Sequence, residues 1–188
     1  MKQIRRQTFE TNSSSSHSIS FINDEAVKKL ETDTLYVAAE KELEVVDFED
    51  VPTVFVELGT FGWGPAVYND AYTKLSYLLT KVAGYYDLDN EEDMEDIYNG
   101  HEFEELNKII EDHFDGAQLR IAKTDDYYCE DHDMCLADIK YMYEGMDLSD
   151  FIFNPNIVLT VTNDNDFFDE WWTDNEFKHI DCHLKYED

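Results

Sequence analysis

The chain of 188 residues has the length of a single domain, and its composition, 43% apolar with 12 Phe and 12 Tyr, excludes a disordered acidic tail. Its net charge of −30 disfavours unaided binding to free DNA or RNA, because phosphates are repelled, so the expected partner is basic. Three cysteines are too few for a disulfide framework, and neither a membrane-length apolar run nor the apolar stretch of a signal peptide is present. These features predict a cytoplasmic protein that does not associate with a membrane.

A hydroxyl-rich segment at residues 9–18 lies between two β-like segments, 3–8 and 18–22. Its Asn and Ser side chains compete with the backbone for hydrogen bonds and favour turns, which predicts a loop between two strands. Two interpretations remain open. One is a flexible serine linker, and the other is an ordered loop held by flanking apolar residues such as Phe9 and Ile19.

Charge is unevenly distributed along the chain. Residues 1–30 carry five basic and three acidic side chains, a net charge of +2, so the rest of the chain carries −32. Two of the three arginines, Arg5 and Arg6, precede the hydroxyl-rich segment closely. This distribution is compatible with a locally positive pocket on a strongly negative body.

The next elements in the chain are a short helix, two strands, a turn and a long helix. Asn23 or Asp24 is placed to cap the short helix, and the strands are predicted at 35–39 and 53–58. The glycine-rich turn at 59–65 lacks the lysine and the spacing of a phosphate-binding loop and is interpreted as structural.

The longest predicted helix belongs to the core. It begins at about Ala66 or Asp70 and ends at Ala83, since Gly84 is a natural terminator. Its apolar residues form one stripe at helical spacing, which indicates burial of that face.

An acidic helical region is predicted at about residues 87–150. Its first part, 87–115, carries thirteen acidic side chains and one basic one, Lys108, yet keeps an apolar helical stripe, so the carboxylates are expected on the outer face of a packed helix. The elements that follow are a strand at 117–123, a loop at 124–133 and helices at 136–146 and 148–153.

The clearest strand lies at residues 157–162, because it is rich in β-branched residues. It leads into a polar segment at 163–166, an aromatic segment at 167–172 and a last strand at 180–186. Mixed elements of this kind predict an α+β fold, with a single domain in which amphipathic helices pack on a mixed central sheet.

Several segments together resemble the signature of a family of small proteins from bacteriophages and mobile elements. They are FETNSSSSHS at 9–18, FGWG at 61–64, YTKLSYLLT at 72–80, FIFNP at 151–155 and TNDND at 162–166. Some members resemble anti-CRISPR proteins that disable a guide-RNA-loaded nuclease. The resemblance therefore implies an anti-defence protein in the host cytoplasm, which engages a basic CRISPR effector ribonucleoprotein and cleaves its guide RNA.

The N-terminal motif contains the residue types that RNA cleavage without a metal requires: groups that transfer protons and donors that stabilise a charged phosphorane. The candidates are His17, Glu10, Ser14 and Ser16 for catalysis, and Arg5, Arg6 and Asn12 for substrate binding. In the alternative interpretation, Asn12 and the serines satisfy the backbone of a buried turn, and the residue types alone favour it. A serine nucleophile is less favoured, because the Gly-x-Ser-x-Gly pattern is missing.

Two sets of residues have the chemistry of metal ligands. Asp164 and Asp166 could share an ion with Glu10, but among 44 acidic residues such pairs arise by chance. The second set consists of Cys129, His132, Cys135, His179, Cys182 and His183, whose spacing departs from that of a structural zinc site. No metal or cofactor is therefore predicted.

The alternative function is a non-catalytic nucleic-acid mimic. Carboxylates of residues 87–115 and 125–150 would imitate phosphates and block the nucleic-acid channel of a basic host defence protein. A third alternative is a phage protein with neither activity, in which the motif is a structural turn.

Overall fold

Helices and strands combine in an α+β fold, as predicted. A computed structural model describes residues 16–30, 37, 41–61, 66–84, 86–122, 129–130 and 147–162. Within these residues no helix is long and apolar enough to cross a membrane.

The described strands form three sheets. In chain order they are β1 (Ser16–Phe21), β2 (Val45–Phe48), β3 (Val51–Glu57), β4 (Thr60–Phe61), β5 (Ala66–Tyr68), β6 (Gln118–Ala122), β7 (Cys129–Glu130) and β8 (Ile157–Thr162). The strand orders are β1-β8-β5, β2-β3-β6 and β4-β7. The second sheet is mixed, because β2 is antiparallel and β6 parallel to β3.

Five helices are described, and their ends follow the capping residues. They are α1 (Asp24–Leu30), α2 (Ala71–Ala83), α3 (Glu91–Asn99), α4 (His101–His113) and α5 (Leu148–Phe153). The side chain of Asn23 accepts the N–H of Ala26 at 2.9 Å and caps α1, as predicted. Gly84 ends α2 at a φ of 48°, a conformation that glycine adopts without steric cost.

The central strand of the first sheet is β8, and both of its neighbours are antiparallel to it. Residues 157–161 are all buried, which accounts for the continuous apolar and β-branched sequence. Ile19 of β1 and Tyr68 of β5 both pair with Leu159. The sheet is therefore held together by its middle strand.

The second sheet begins with a hairpin that the sequence did not indicate. Glu49 and Asp50 connect β2 to β3 with φ values of 53° and 64°, the geometry of a two-residue turn that suits the twist of a hairpin. In β6, Leu119 and Ile121 are buried and Arg120 is exposed, as predicted from the alternation.

Among the described residues, the outer edge of β6 is closed by side chains and not by another strand. The N–H of Leu119 donates to Oδ1 of Asn107 at 2.8 Å, and the N–H of Ile121 donates to the hydroxyl of Tyr98 at 3.3 Å. These bonds satisfy donors that an exposed edge would offer to another chain.

Polar side chains of α2 attach this helix to the end of β3. The N–H of Glu57 donates to the hydroxyl of Tyr72 at 3.1 Å, and Oγ of Ser76 donates to the Glu57 carbonyl at 2.7 Å. Oγ1 of Thr80 accepts the N–H of Gly59 at 2.9 Å. On its apolar side α2 contributes Leu75, Leu78 and Leu79 to the core, all fully buried.

The structure also differs from the prediction in α2, in the acidic segment and near Cys129. Ala66–Tyr68 form β5, so the later of the two predicted starts of α2 is correct, and Asp70 is the N-cap. The acidic segment forms two helices, because the backbone at Gly100 is extended, with φ −71° and ψ 139°. Cys129–Glu130 pair with β4 in a segment predicted as a loop.

Several predicted elements lie outside the described residues. They are the strands at 3–8 and 180–186, the helix at 136–146, the segments at 163–166 and 167–172, and the strand at 35–39 except for Val37.

Candidate functional site

Three of the sequence motifs are joined to the same end of the β1-β8-β5 sheet. β1 begins at Ser16, β5 begins at Ala66 and β8 ends at Thr162. Since β1 and β5 lie on opposite sides of β8 and both run antiparallel to it, their first residues lie beside the last residues of β8. We call this end of the sheet the motif end.

The register shows how small the motif end is. His17 pairs with Val161 on one side of β8, and Ala66 pairs with Val161 on the other. Neighbouring strands lie roughly 4.8 Å apart, so the backbones of His17 and Ala66 are about 10 Å apart. Residues 9–15, 62–65 and 163–166 are thus joined to the sheet within a short distance of one another.

The backbone position of His17 corrects the predicted loop. Ser16 and His17 belong to β1, where they pair with Thr162 and Val161. Pairing with a strongly β-forming partner strand overrides the turn preference of serine. The hydroxyl-rich segment therefore enters the sheet two residues earlier than predicted.

Most of the candidate residues lie outside the described part of the chain. Of the predicted site, the structure describes the backbone of Ser16 and His17. Glu10, Ser14, Arg5, Arg6 and Asn12 lie outside the described residues. Their roles stay predictions.

A second polar centre lies at the opposite end of the same sheet. Lys74 of α2 is fully buried, and its Nζ donates to the carbonyl oxygens of Asn154 at 2.9 Å and Ile157 at 3.1 Å. The ammonium also lies 5.7 Å from the centroid of the Phe151 ring. Burial lowers the pKa of Lys74 to about 7, although the nearby Asp70 carboxylate raises it.

Asp70 connects this lysine to the start of α2. Its Oδ1 accepts the N–H of Thr73 at 2.6 Å, whereas Oδ2 is buried and has no hydrogen-bond partner among the described residues. Burial raises the pKa of Tyr68, and the Asp70 charge adds to that increase. Three titratable groups therefore surround the turn from β5 into α2.

Asn156 ties the same end of the sheet to the α1 region. Its Nδ2 donates to the carbonyl oxygen of Ile22 at 2.9 Å and to Oδ1 of Asp24 at 2.8 Å. The N–H of Ile22 in turn donates to the Asn156 carbonyl at 2.8 Å. Together with Lys74, Asn156 fixes the turn between α5 and β8, and we call this end the anchored end.

The length of β8 separates the two ends. Ile157, whose carbonyl binds Lys74, is the first residue of β8, and Thr162 is the last. Five steps of about 3.4 Å place them roughly 17 Å apart. Lys74 is therefore too far away to take part in chemistry at the motif end, and its role is structural.

The acidic helices present carboxylates to solvent, as predicted. Phe103, Leu106 and Ile110 are buried on the inner face of α4. The exposed carboxylates of α3 and α4 are Glu91, Glu92, Glu95, Asp96, Glu104 and Asp112. Lys108 offsets one of these negative charges, because its Nζ donates to Asp112 at 2.6 Å, a hydrogen bond that raises the pKa of Lys108.

Most of the residues with the chemistry of metal ligands lie outside the described part of the chain. Within the described ranges, no three His, Cys, Asp or Glu residues are grouped as a metal site would require. Of the two sets of candidate ligands, the structure describes the backbone of Cys129 in β7. All the other residues of both sets lie outside the described ranges.

Comparison with known proteins gives no further assignment. No family model, curated protein or solved structure matches the chain. The resemblance of the motifs to a phage protein family therefore stays a prediction from the sequence, and function is inferred from the arrangement of the chain itself.

Lys74 is the main polar residue that sequence reasoning missed. It lies four residues before Leu78 and three before Tyr77, both buried, so helical spacing alone places it on the inner side of α2. A lysine at such a position indicates a buried cation with carbonyl partners, because an unpaired buried charge is costly.

Proposed function

We propose that this protein is an anti-defence factor of a phage or mobile element, which binds a basic CRISPR effector ribonucleoprotein and cleaves its guide RNA. The observation that carries the proposal is the joining of three motif segments to the motif end of one sheet. Residues that are far apart in the chain can thereby contribute to a single site. The substrate class comes from the resemblance of the N-terminal motif.

The reaction uses the two proton-transferring residues of the motif. The Glu10 carboxylate takes the proton of a ribose 2′-hydroxyl, and the 2′-oxygen attacks the adjacent phosphorus. The bond from phosphorus to the 5′-oxygen breaks, and the His17 imidazolium gives its proton to that oxygen. The products are a 2′,3′-cyclic phosphate and a 5′-hydroxyl. Arg5, Arg6 and Asn12 stabilise the charged phosphorane.

The acidic surface explains how a protein of net charge −30 reaches RNA. Exposed carboxylates on α3 and α4 favour association with a basic protein surface and increase the rate of encounter. The effector then presents its bound guide RNA to the motif end, so the protein does not have to attract RNA on its own.

The test compares the guide RNA before and after incubation with the protein. The effector loaded with guide RNA, and the guide RNA alone, are incubated with wild type, His17→Ala or His101→Ala and separated on a denaturing gel. His101 is an exposed histidine at the start of α4 and serves as the matched control. Shortened guide with a 5′-hydroxyl end is expected for wild type and His101→Ala, only with the effector present. Intact guide in every lane would contradict cleavage.

A second candidate function is favoured by the exposed carboxylates themselves. A mimic of nucleic acid would block the effector without cutting RNA. Its inhibition of target DNA cleavage should persist in His17→Ala, weaken as salt is raised, and fall when Glu91, Glu92 and Glu95 are all replaced by Gln. Circular dichroism of the triple variant checks that α3 still forms.

A further inference from the structure

Among the described strands, β2 is an exposed edge strand. It lies at one side of the β2-β3-β6 sheet, and all four of its residues are exposed. Three of them are apolar: Val45, Val46 and Phe48 have 45%, 43% and 45% of their surface exposed to solvent. On the opposite edge, β6, side chains of Asn107 and Tyr98 accept backbone N–H groups, whereas β2 has no such cover among the described residues.

The hairpin register identifies the backbone groups that β2 presents. Phe48 and Val51 flank the two-residue turn and form a hydrogen-bonded pair, and the next such pair is Val46 with Thr53. Hydrogen-bonded and non-hydrogen-bonded pairs alternate, so the N–H and C=O groups of Val45 and Asp47 point away from β3. Within the described chain, no strand pairs with that side of β2.

The charge around β2 selects the kind of segment that could pair with it. Residues 41–50 carry five carboxylates and one ammonium, a net charge of −4. The ammonium, Lys41, forms an ion pair with Glu57 of β3. A second copy of this chain would bring an equally negative edge against β2 and would be repelled.

We propose that the β2 edge binds an extended, basic segment of a partner protein as an added strand. Backbone hydrogen bonds to Val45 and Asp47 supply the pairing, and apolar residues of the segment pack beside Val46 and Phe48. The Phe48 ring is itself supported by Phe55, edge to face at 5.3 Å between centroids. Basic residues of the segment meet the carboxylates that flank the strand. The proposal rests on the proposed function in that it assigns the basic partner a docking strand.

The probe is a synthetic peptide in which lysine and valine alternate, with a glutamate and valine peptide for comparison. Binding is measured by fluorescence anisotropy, and amide hydrogen exchange locates it. At a free peptide concentration of about ten times Kd, exchange of the Val45 and Asp47 amides should slow about tenfold. The acidic peptide should not bind.

Two substitutions at one position separate strand pairing from simple charge attraction. Asp47→Pro and Asp47→Asn both remove one negative charge, but only Asp47→Pro also removes the outward N–H. Proline is tolerated at this position, because Asp47 pairs with Pro52 at a non-hydrogen-bonded site of an edge strand. Asp47→Asn should bind the basic peptide nearly as well as wild type, and Asp47→Pro should bind at least about tenfold more weakly, which corresponds to 1.4 kcal/mol.

Three results would overturn the proposal. They are equal binding of the basic peptide by the two variants, unchanged exchange at Val45 and Asp47, and a wild-type dimer in sedimentation that Asp47→Pro abolishes. The last result would assign the edge to a second copy. The samples in these measurements contain neither effector nor RNA. Lack of peptide binding is therefore distinguishable from lack of guide-RNA cleavage, which is measured on a gel.

Discussion

Replacing Lys74 by methionine should change how the stability of this protein depends on pH. The Lys74 ammonium is buried against two carbonyl oxygens, and burial lowers its pKa from 10.5 to about 7. Below pH 7 the folded and unfolded chains both bind the proton. Between pH 7 and 10.5 only the unfolded chain binds it, so the free energy of unfolding rises with pH in that window.

The size of the rise follows from the two pKa values. For about 7 in the folded chain and 10.5 in the unfolded chain, the free energy of unfolding increases by about 2 kcal/mol between pH 7 and pH 9. Methionine has no titratable group and fills a similar unbranched shape, so Lys74→Met should lack this contribution. Staying below about pH 9 also keeps tyrosine un-ionised in both states.

The measurement is urea unfolding followed by far-UV circular dichroism across this pH range, for wild type, Lys74→Met and Lys108→Met. Lys108 is exposed, and its hydrogen bond to Asp112 raises its pKa, so both states keep its proton and Lys108→Met is a flat control. The quantity of interest is the difference in unfolding free energy between wild type and Lys74→Met. A difference that stays constant within about 0.5 kcal/mol from pH 7 to 9 would refute a buried lysine of lowered pKa.

Three further substitutions test individual contacts. Asn156→Ala removes two hydrogen bonds that the amide donates and should lower the free energy of unfolding by about 2 kcal/mol; an unchanged urea midpoint would show that water replaces them. Gly59→Ala places a methyl group 2.6 Å from Cε2 of the buried Phe61 ring and should cost about 1–3 kcal/mol in the same assay, unless the ring can move. Tyr98→Phe leaves the N–H of Ile121 without its acceptor and should speed exchange of that amide; equal exchange would mean that the edge is protected in another way.

The parts of the fold that could be predicted from the sequence are those with a strong local pattern. The β-branched run of β8 and the alternation of Leu119, Arg120 and Ile121 in β6 report burial directly. The end of α2 was predictable from Gly84 for a different reason, because its positive φ strongly favours glycine.

The β2-β3 hairpin escaped prediction because its turn residues are unusual. Two-residue hairpin turns favour Asn-Gly or Asp-Gly, whereas here Glu49 and Asp50 adopt positive φ values. All four residues of β2 are exposed, so the strand lacks the alternation of buried and exposed residues that usually identifies a strand. Two adjacent valines, Val45 and Val46, are too short an apolar run to predict a strand on their own.

The candidate site was only partly predictable because its arrangement depends on pairing between distant parts of the chain. The sequence identified the motif segments, but it could not show that β1 and β5 flank β8, a topology that brings residue 17 beside residue 161. Lys74 likewise binds a turn 80 residues away. Such contacts are set by packing of the whole domain rather than by local propensity.

The two ends of the β1-β8-β5 sheet depend on each other, and this bears on how variants of the motif are interpreted. β1 begins with Ser16, His17 and Ser18, and serine has little preference for a strand. The pairing of β1 with β8 therefore relies on the far end of β1, where Ile22 exchanges hydrogen bonds with Asn156. Loss of Asn156 should therefore loosen β1 as far as the motif end and lower the proposed guide-RNA cleavage indirectly. His17→Ala leaves those bonds in place, so it should lower the proposed cleavage without faster amide exchange in β1. Comparing exchange with cleavage for these two variants separates a chemical role of His17 from a structural one.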